Sequence, residues 1–435
     1  MTITLYVVFA ALLGFGALVL ISGELSKKRG PSRPGHTAPG RVALAAIMGF
    51  GVIGLSIKAV ALVMLNDAPR LTDVAAASRA LPTQSHEFAE SSGVQGIRYP
   101  GRPRSWQALP ARAPGTNPEH DTPELIALGR KLFFDPRLSS TGTVACASCH
   151  DITSGGDDGQ QYSTGIEGLK GGRNAPTVYN AAFLKRLFWD GRAKSLEDQA
   201  TGPLMNPVEM GLSSPDEAVE IVNRDPDYVL AFRDVLNGPV TIDGIATAIA
   251  AFERALITNN SPYDRFVRGE AEALTNQQMR GMYLFDKIGC RRCHQDPVFS
   301  VAGDPVAGPY RSFPVFKSSP YVHKHNLTQD KGRGGNGVWR VPSLRNVELT
   351  APYFHNGAVE TLQEAVRVMA TAQLGYTIHE AGQSRFRVLR DEQARPVLVE
   401  DKILAERDVA DIAAFLKSLT GAPSPSEPVR SARKD

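Results

Sequence analysis

Two long apolar runs open the chain, and amphipathic patterns follow only after an interval without either helical or strand periodicity. Residues 3–21 (ITLYVVFAALLGFGALVLI) are uncharged and long enough to cross a hydrocarbon core of roughly 30 Å as a helix. A second run, 42–65, is nearly as apolar and carries Lys58, whose stem can run along a partner helix or toward an interface. Lys27, Lys28, Arg29, Arg33 and Arg41 lie between the runs against Glu24 alone, the excess expected of a cytoplasmic loop. The pattern predicts a transmembrane hairpin, with everything after about residue 70 exported. A secretory signal peptide competes with this, but no positive charge precedes the first run. A single signal-anchor over 42–65, cleaved near Ala75 to Ala80, is the other alternative, and it exports the same residues.

Residues 67–120 mix Pro, Gly, Ser, Arg and Ala and read as a tether or wrapping segment. Beyond them helical periodicity dominates. Helices are predicted from Thr122-Pro123-Glu124 through Phe134, from Ser214-Pro215-Asp216-Glu217 onward, and over 241–257, 274–288, 361–369 and 406–419. No alternating run is long enough to predict a sheet. A degenerate repeat organises these helices. Leu128-Gly129-Arg130-Lys131-Leu132-Phe133-Phe134 precedes Cys146 as Arg280-Gly281-Met282-Tyr283-Leu284-Phe285 precedes Cys290, and an Ala-rich amphipathic helix closes each half (245–256 and 409–419). The expected architecture is mainly α, with two tandem domains at 121–265 and 266–421, a membrane anchor at 1–70, a linker at 71–120 and a tail at 422–435.

Composition changes this picture little. The chain has 435 residues, 42% hydrophobic, enough apolar content to exclude disorder. Its net charge of +3 divides into +5 before position 71 and −2 after it, so the basic excess describes topology and implies no nucleic acid. Four cysteines exclude a disulfide scaffold. Their spacing carries the chemistry: Cys146-Ala147-Ser148-Cys149-His150 and Cys290-Arg291-Arg292-Cys293-His294 are both C-x-x-C-H, which lets two thiols form thioethers to a haem while the adjacent His reaches its iron. A four-cysteine zinc site normally brings its pairs within about 20 residues. Here they are about 140 apart, and zinc does not explain a His after each. Two covalent c haems are expected. The second axial ligands decide between chemistry and electron transfer, and neither the nine His nor the eight Met name themselves.

From Leu125 to Gly421 the chain resembles the bacterial di-haem cytochrome c peroxidases and their MauG-type relatives. The resemblance rests on GRKLFFDPRLSSTGTVACASCH, GGRNAPTVYNAAF, FWDGRAKSLEDQATGPLMNPVEMG and VPSLRNVELTAPYFHNGAVETLQEAV, in the family's order. It implies two cytochrome c-like haem domains, with His150 and His294 as proximal ligands. It implies Met369, 14 residues after His355, as the thioether ligand of an electron-transfer haem, where a core methionine is the plain alternative. Gln199 and Glu209 match the polar pair above the first haem, Glu209 as acid/base, with Pro203 between them. Trp189 matches the tryptophan between the haems. Asn174 by its side chain, and Thr350 and Pro352 by their carbonyls, match a calcium site. One departure stands out. The well-known peroxidases carry, before the GRNAPT-like motif, a His that caps the resting first haem; here that position is Ile166, and no His occurs between His150 and His294. MauG-type relatives lack that His too, but carry Tyr where Met369 stands. Residues 370–405 are longer than expected and leave a docking or homodimer element and a tolerated insertion open. His323 and His325 receive no ligand role.

The expected activity is reduction of hydrogen peroxide at the periplasmic face of the inner membrane, with electrons from cytochrome c or a quinol. MauG-like oxidation of a partner protein and a non-catalytic tethered electron carrier are the rivals.

Overall fold

The computed structural model describes residues 105–113, 119–304, 306–379, 386–390, 396–400 and 402–422, all within the unit Gly96–Asp435. The predicted hairpin (3–21 and 42–65) and most of the linker and tail lie outside them. Among the described residues no helix is long and apolar enough to cross a membrane.

Ten α-helices are described: α1 Pro123–Phe133, α2 Leu196–Met205, α3 Pro215–Asn223, α4 Pro226–Leu236, α5 Ile242–Ala255, α6 Pro262–Val267, α7 Asn276–Lys287, α8 Pro320–Lys324, α9 Leu362–Val368 and α10 Glu406–Lys417. Their starts follow from side-chain capping. Thr122, Ser214, Thr241, Thr275 and Thr361 each accept a hydrogen bond from a backbone N–H in the first turn, and Pro occupies that turn in α1 and α3. The repeat seen in the sequence is a repeated helix crossing. In α1 a Cβ on Gly129 would lie 1.8 Å from the Ala248 carbonyl of α5; in α7 a Cβ on Gly281 would lie 1.8 Å from the Asp411 carbonyl of α10. Only glycine permits either approach. Beside each crossing an aromatic pair meets at nearly the same separation: Phe133 and Phe252 at 5.2 Å, Phe285 and Phe415 at 5.3 Å.

Two main apolar cores result. One gathers residues between Leu125 and Leu256, including fully buried Leu132, Phe133, Ile245 and Phe252; the other gathers residues between Tyr263 and Leu419, including Phe299, Val368 and Phe415. A smaller cluster at their seam joins Leu109, Ala113, Phe183, Ile257 and Val298.

Three two-stranded ribbons, which no alternating run in the sequence predicts, accompany the mainly helical fold. β1 (Tyr310–Ser312) pairs antiparallel with β2 (Val338–Arg340), in register Tyr310 with Arg340. Residues 377–405 hold the others: β3 (Thr377–His379) runs parallel to β6 (Ile403–Ala405), and β4 (Phe386–Arg390) pairs antiparallel with β5 (Pro396–Glu400). Strands of three to five residues are too short for alternation to announce.

Candidate functional site

Each C-x-x-C-H motif folds as one 3-10 turn, over Cys146–Ser148 and Cys290–Arg292. The His150 N–H donates to the Cys146 carbonyl at 3.0 Å and the His294 N–H to the Cys290 carbonyl at 2.9 Å, so both motifs present two thiols and an imidazole alike. All four cysteines are unbridged. Burial pushes the Cys146 and Cys290 thiols up to about 12, which keeps them neutral. The two pairs belong to different cores, and among the described residues no cluster of three or more His, Cys, Asp or Glu is placed to hold a metal, so the zinc alternative fails.

The proximal imidazoles are oriented by their backbones. His150 Nδ1 donates to the Gly156 carbonyl at 3.2 Å, and His294 Nδ1 donates to the Phe299 carbonyl at 3.1 Å. With Nδ1 protonated, Nε2 carries the lone pair a metal needs. Burial lowers the pKa of both rings, His294 to about 4, which favours the neutral, ligating form.

Cys290, Cys293, His294 and Met369 line one largely apolar cavity. Met369 opens a π-turn, Met369–Gln373, that continues α9. Such turns insert one extra residue and often serve functional sites. Two thiols, a neutral imidazole and a thioether around an apolar cavity are the donor set a c haem with His/Met ligation requires.

The polar residues assigned to the first haem lie on α2 and the turn after it. Ser195 caps α2 by accepting from the Asp198 N–H, and half-buried Gln199 lies in its middle. Pro203 stands in the last turn, and the chain leaves the helix at Asn206. The Asn206 side chain accepts from the Val208 N–H at 3.0 Å and donates to Glu209 Oε1 at 2.7 Å. The Glu209 carboxylate lies within electrostatic range of both Cys146 and Cys149. Burial raises its pKa, against opposing pulls from Arg192 and Asn206. Ile166 is buried in the first core, and its N–H donates to the Glu209 carbonyl at 3.0 Å. The loop that departs from the peroxidase pattern is therefore fastened to the loop bearing the candidate acid.

Trp189 Nε1 donates to the Asn174 carbonyl at 2.8 Å. Its ring meets His355 edge-on at 6.4 Å, and His355 stacks on Trp339 at 4.0 Å. Asn174, Thr350, Pro352 and Trp189 all line the cavity that holds His294. The Asn174 N–H donates to the His355 carbonyl and its side-chain amide to the Gln160 carbonyl, both at 2.9 Å. In the sequence His355 stands only as a landmark for Met369. In the fold it is 2% exposed, burial pushes its pKa down to about 4, and its Nε2 is buried without a hydrogen-bond partner. Arg340, which nothing in the sequence singles out, is buried on the cavity wall, with Nε donating to the Phe188 carbonyl at 2.8 Å. The run Trp339-Arg340 before VPSLRN is the one signal that could have pointed to it. His325 does not line this cavity and is bonded to the Ala358 carbonyl and Glu364.

Known proteins resemble this chain over most of the described residues. The family model described as di-haem cytochrome c peroxidase matches residues 123–272. The chain is 40% identical over 308 residues to the cytochrome c551 peroxidase of Nitrosomonas europaea, covering 69% of this chain and 82% of that protein. It is 39% identical over 304 residues to the cytochrome c peroxidase Ccp of Escherichia coli K12, covering 69% of this chain but 59% of that longer relative. Among solved structures, a MauG-like protein associated with microbial copper homeostasis superposes with a TM-score of 0.57 at 27% identity, covering 75% of this chain and 96% of that one.

Proposed function

The chain belongs to the di-haem cytochrome c peroxidase family, and from that membership we propose that it reduces hydrogen peroxide to water with electrons from an external donor. The observation that carries this reading is Glu209: a half-buried carboxyl held by Asn206 within electrostatic range of the first C-x-x-C-H motif, with its pKa raised. Two c haems would be held covalently, on Cys146, Cys149 and His150 and on Cys290, Cys293 and His294, and would supply redox-active iron, while the protein supplies placement and electrostatics. Glu209 passes a proton between the two peroxide oxygens and Gln199 orients the peroxide. Ile166 places no imidazole over the first site, so that site accepts peroxide without reductive activation. His294 and Met369 would hold the second iron, and thioether ligation would supply the raised potential of an electron reservoir. Trp189 lies on the route between the two sites.

The finer assignments follow the same reading. Calcium would be held by the Asn174 side chain and the Thr350 and Pro352 carbonyls, residues that line one cavity. The apolar runs 3–21 and 42–65 anchor the protein in the inner membrane, and the catalytic part faces the periplasm. The donor is a cytochrome c or a quinol. Residues 370–405, with their strands, are the candidate element for a homodimer. MauG-like oxidation of a partner protein is the second reading, favoured by Ile166 and opposed by Met369.

The test mixes peroxide with the holoprotein and reduced cytochrome c, a quinol, or no donor. Turnover with a small donor is expected; none with any donor, despite two intact haems, would leave an electron carrier. Electron paramagnetic resonance of the ferric resting protein should show one high-spin and one low-spin haem, and two low-spin haems would sink the open first site.

A further inference from the structure

Residues 105–113 form a strap across the second core, held along its length. Arg291 donates to the Ser105 carbonyl at 3.0 Å, the Gln107 N–H donates to Asp296 at 2.7 Å, Tyr263 OH donates to the Gln107 carbonyl at 3.0 Å, and the Leu109 N–H donates to Asp264 at 2.8 Å. Asp264 is itself fixed, fully buried and paired with fully buried Arg345 at 2.8 Å. Leu109 is completely buried and meets the seam between the two cores.

The strap's aromatic residue reaches the proximal side of the second site. Trp106 lies nearly parallel to the Phe299 ring at 6.4 Å and edge-on to Tyr263 and Phe415 at 6.0 and 6.1 Å. Phe299 has φ of 56°, in the left-handed region that a bulky residue occupies only when its surroundings hold it there. Its carbonyl is the one that accepts from His294 Nδ1. Arg291, inside the C-x-x-C-H motif, stacks 3.7 Å over the Trp106 ring while donating to Asp296 at 2.8 Å. One indole thus touches both the motif that attaches the cofactor and the residue that orients its histidine.

We propose that Trp106 is a positioning residue for His294: its packing against Phe299 and Arg291 holds the Phe299 carbonyl on the imidazole Nδ1–H and so sets the reduction potential of the second haem. This rests on the reading of His294 as that haem's proximal ligand. A firm Nδ1–H···O bond makes the imidazole a stronger donor and favours the oxidised iron; loosening the bond raises the potential. The strap is thus an adjuster of the electron reservoir, reaching only one of the two sites.

The experiment uses the full-length holoprotein with Trp106→Ala, Trp106→Leu and Trp106→Phe. Midpoint potentials of both haems are read by spectroelectrochemistry, and exchange of the ligated imidazole Nδ1 proton by NMR. In the Ala and Leu variants the second potential is expected to rise and Nδ1 exchange to quicken while the first potential stays put; Phe, which keeps an aromatic face, should remain near the parent. Should the Ala variant fail to load its second haem, the Leu variant, which retains apolar bulk, supplies the measurement. A loaded Leu variant with unchanged second potential and exchange overturns the proposal. A parent second haem without an imidazole ligand instead overturns the reading of His294, a separate and visible failure.

Discussion

The first module turns its proximal histidine with a glycine, the second with a phenylalanine. Gly156 and Phe299 both sit in the left-handed region, at φ of 79° and 56°, and each offers its carbonyl to an imidazole Nδ1. Glycine adopts that conformation without steric cost, whereas for a bulky side chain it costs about 1–2 kcal/mol. The second module therefore needs neighbours that hold Phe299 in place, and Tyr263, Phe285, Phe415 and Trp106 surround it at 5.0 to 6.4 Å. The same hydrogen bond is intrinsic to the backbone in one module and imposed by packing in the other. On the proposed reading, that difference would suit an open site with a fixed imidazole and a reservoir whose potential is set from outside its own loop.

The largest expected effects test what the modules share. Gly129→Ala and Gly281→Ala each force a methyl group to 1.8 Å from a facing carbonyl, so α1 must part from α5, or α7 from α10. Each should cost about 3 kcal/mol or more, at the upper end of overpacking, in urea unfolding of the holoprotein. A difference between the two much above about 1 kcal/mol would break their equivalence. Next comes what they do not share. Glu209→Gln keeps the bond geometry to Asn206 but removes the proton carrier, and should lower peroxide turnover about 100-fold or more while the absorption spectrum of the second haem stays unchanged. Retention of turnover would move the acid/base role elsewhere.

How much of this is legible in the sequence depends on the distance over which each contact acts. The helix pairs are visible because the repeat marks them twice, with Gly129 and Gly281 at matching places in amphipathic helices. Both cysteine motifs are visible because thiols and imidazole lie within five residues. Met369 is legible only through a family register, since its cavity joins it to residues some 75 positions upstream. Helix α2 is obscured by Pro203, which ordinarily argues against a helix interior and is tolerated here in the last turn. By composition the strap reads as part of a tether or wrapping segment. Its attachment depends on Asp264, Arg291 and Asp296, more than 150 positions away, and no local pattern encodes such a partner.

The closing helices give a further contrast. Next to Phe252, α5 carries Glu253; next to Phe415, α10 carries Leu416, and both are 5% exposed. Burial pushes Glu253 up to about 8 from the ordinary 4.5, and its Oε2 has no hydrogen-bond partner. Because the folded-state pKa is raised, the favourable contribution is present below about pH 4.5 and lost as pH rises through 8, where the folded protein must ionise a buried acid. Glu253→Gln should be near neutral at pH 5 and stabilising by about 2 kcal/mol at pH 9. Glu253→Leu, which copies the second module, should show the same flattening. Denaturant midpoints across that range decide it, and parallel pH profiles for parent and variants would show that Glu253 does not titrate as a buried group.

The smallest effect bears directly on the glycine and the phenylalanine. Gly156→Ala puts a methyl on a residue with φ of 79°, and that methyl would lie 2.7 Å from Thr177 Oγ1 and 2.8 Å from the Tyr179 ring. Thr177 is already committed, donating to the Gly155 carbonyl at 2.6 Å, so the loop relieves the clash by turning. The backbone penalty alone is about 1 kcal/mol, modest beside a lost helix crossing. Its specific consequence falls on His150: as Gly156 rotates, its carbonyl leaves Nδ1, the first imidazole loses its fixed tautomer, and the Nδ1 proton of the first haem's ligand should exchange faster while that of His294 does not change. Paired with Trp106→Leu, which should do the reverse, the variant separates the two ways of aiming one hydrogen bond. If Gly156→Ala leaves His150 undisturbed, the first module is also held by its surroundings, and the contrast between an intrinsic and an imposed bond collapses.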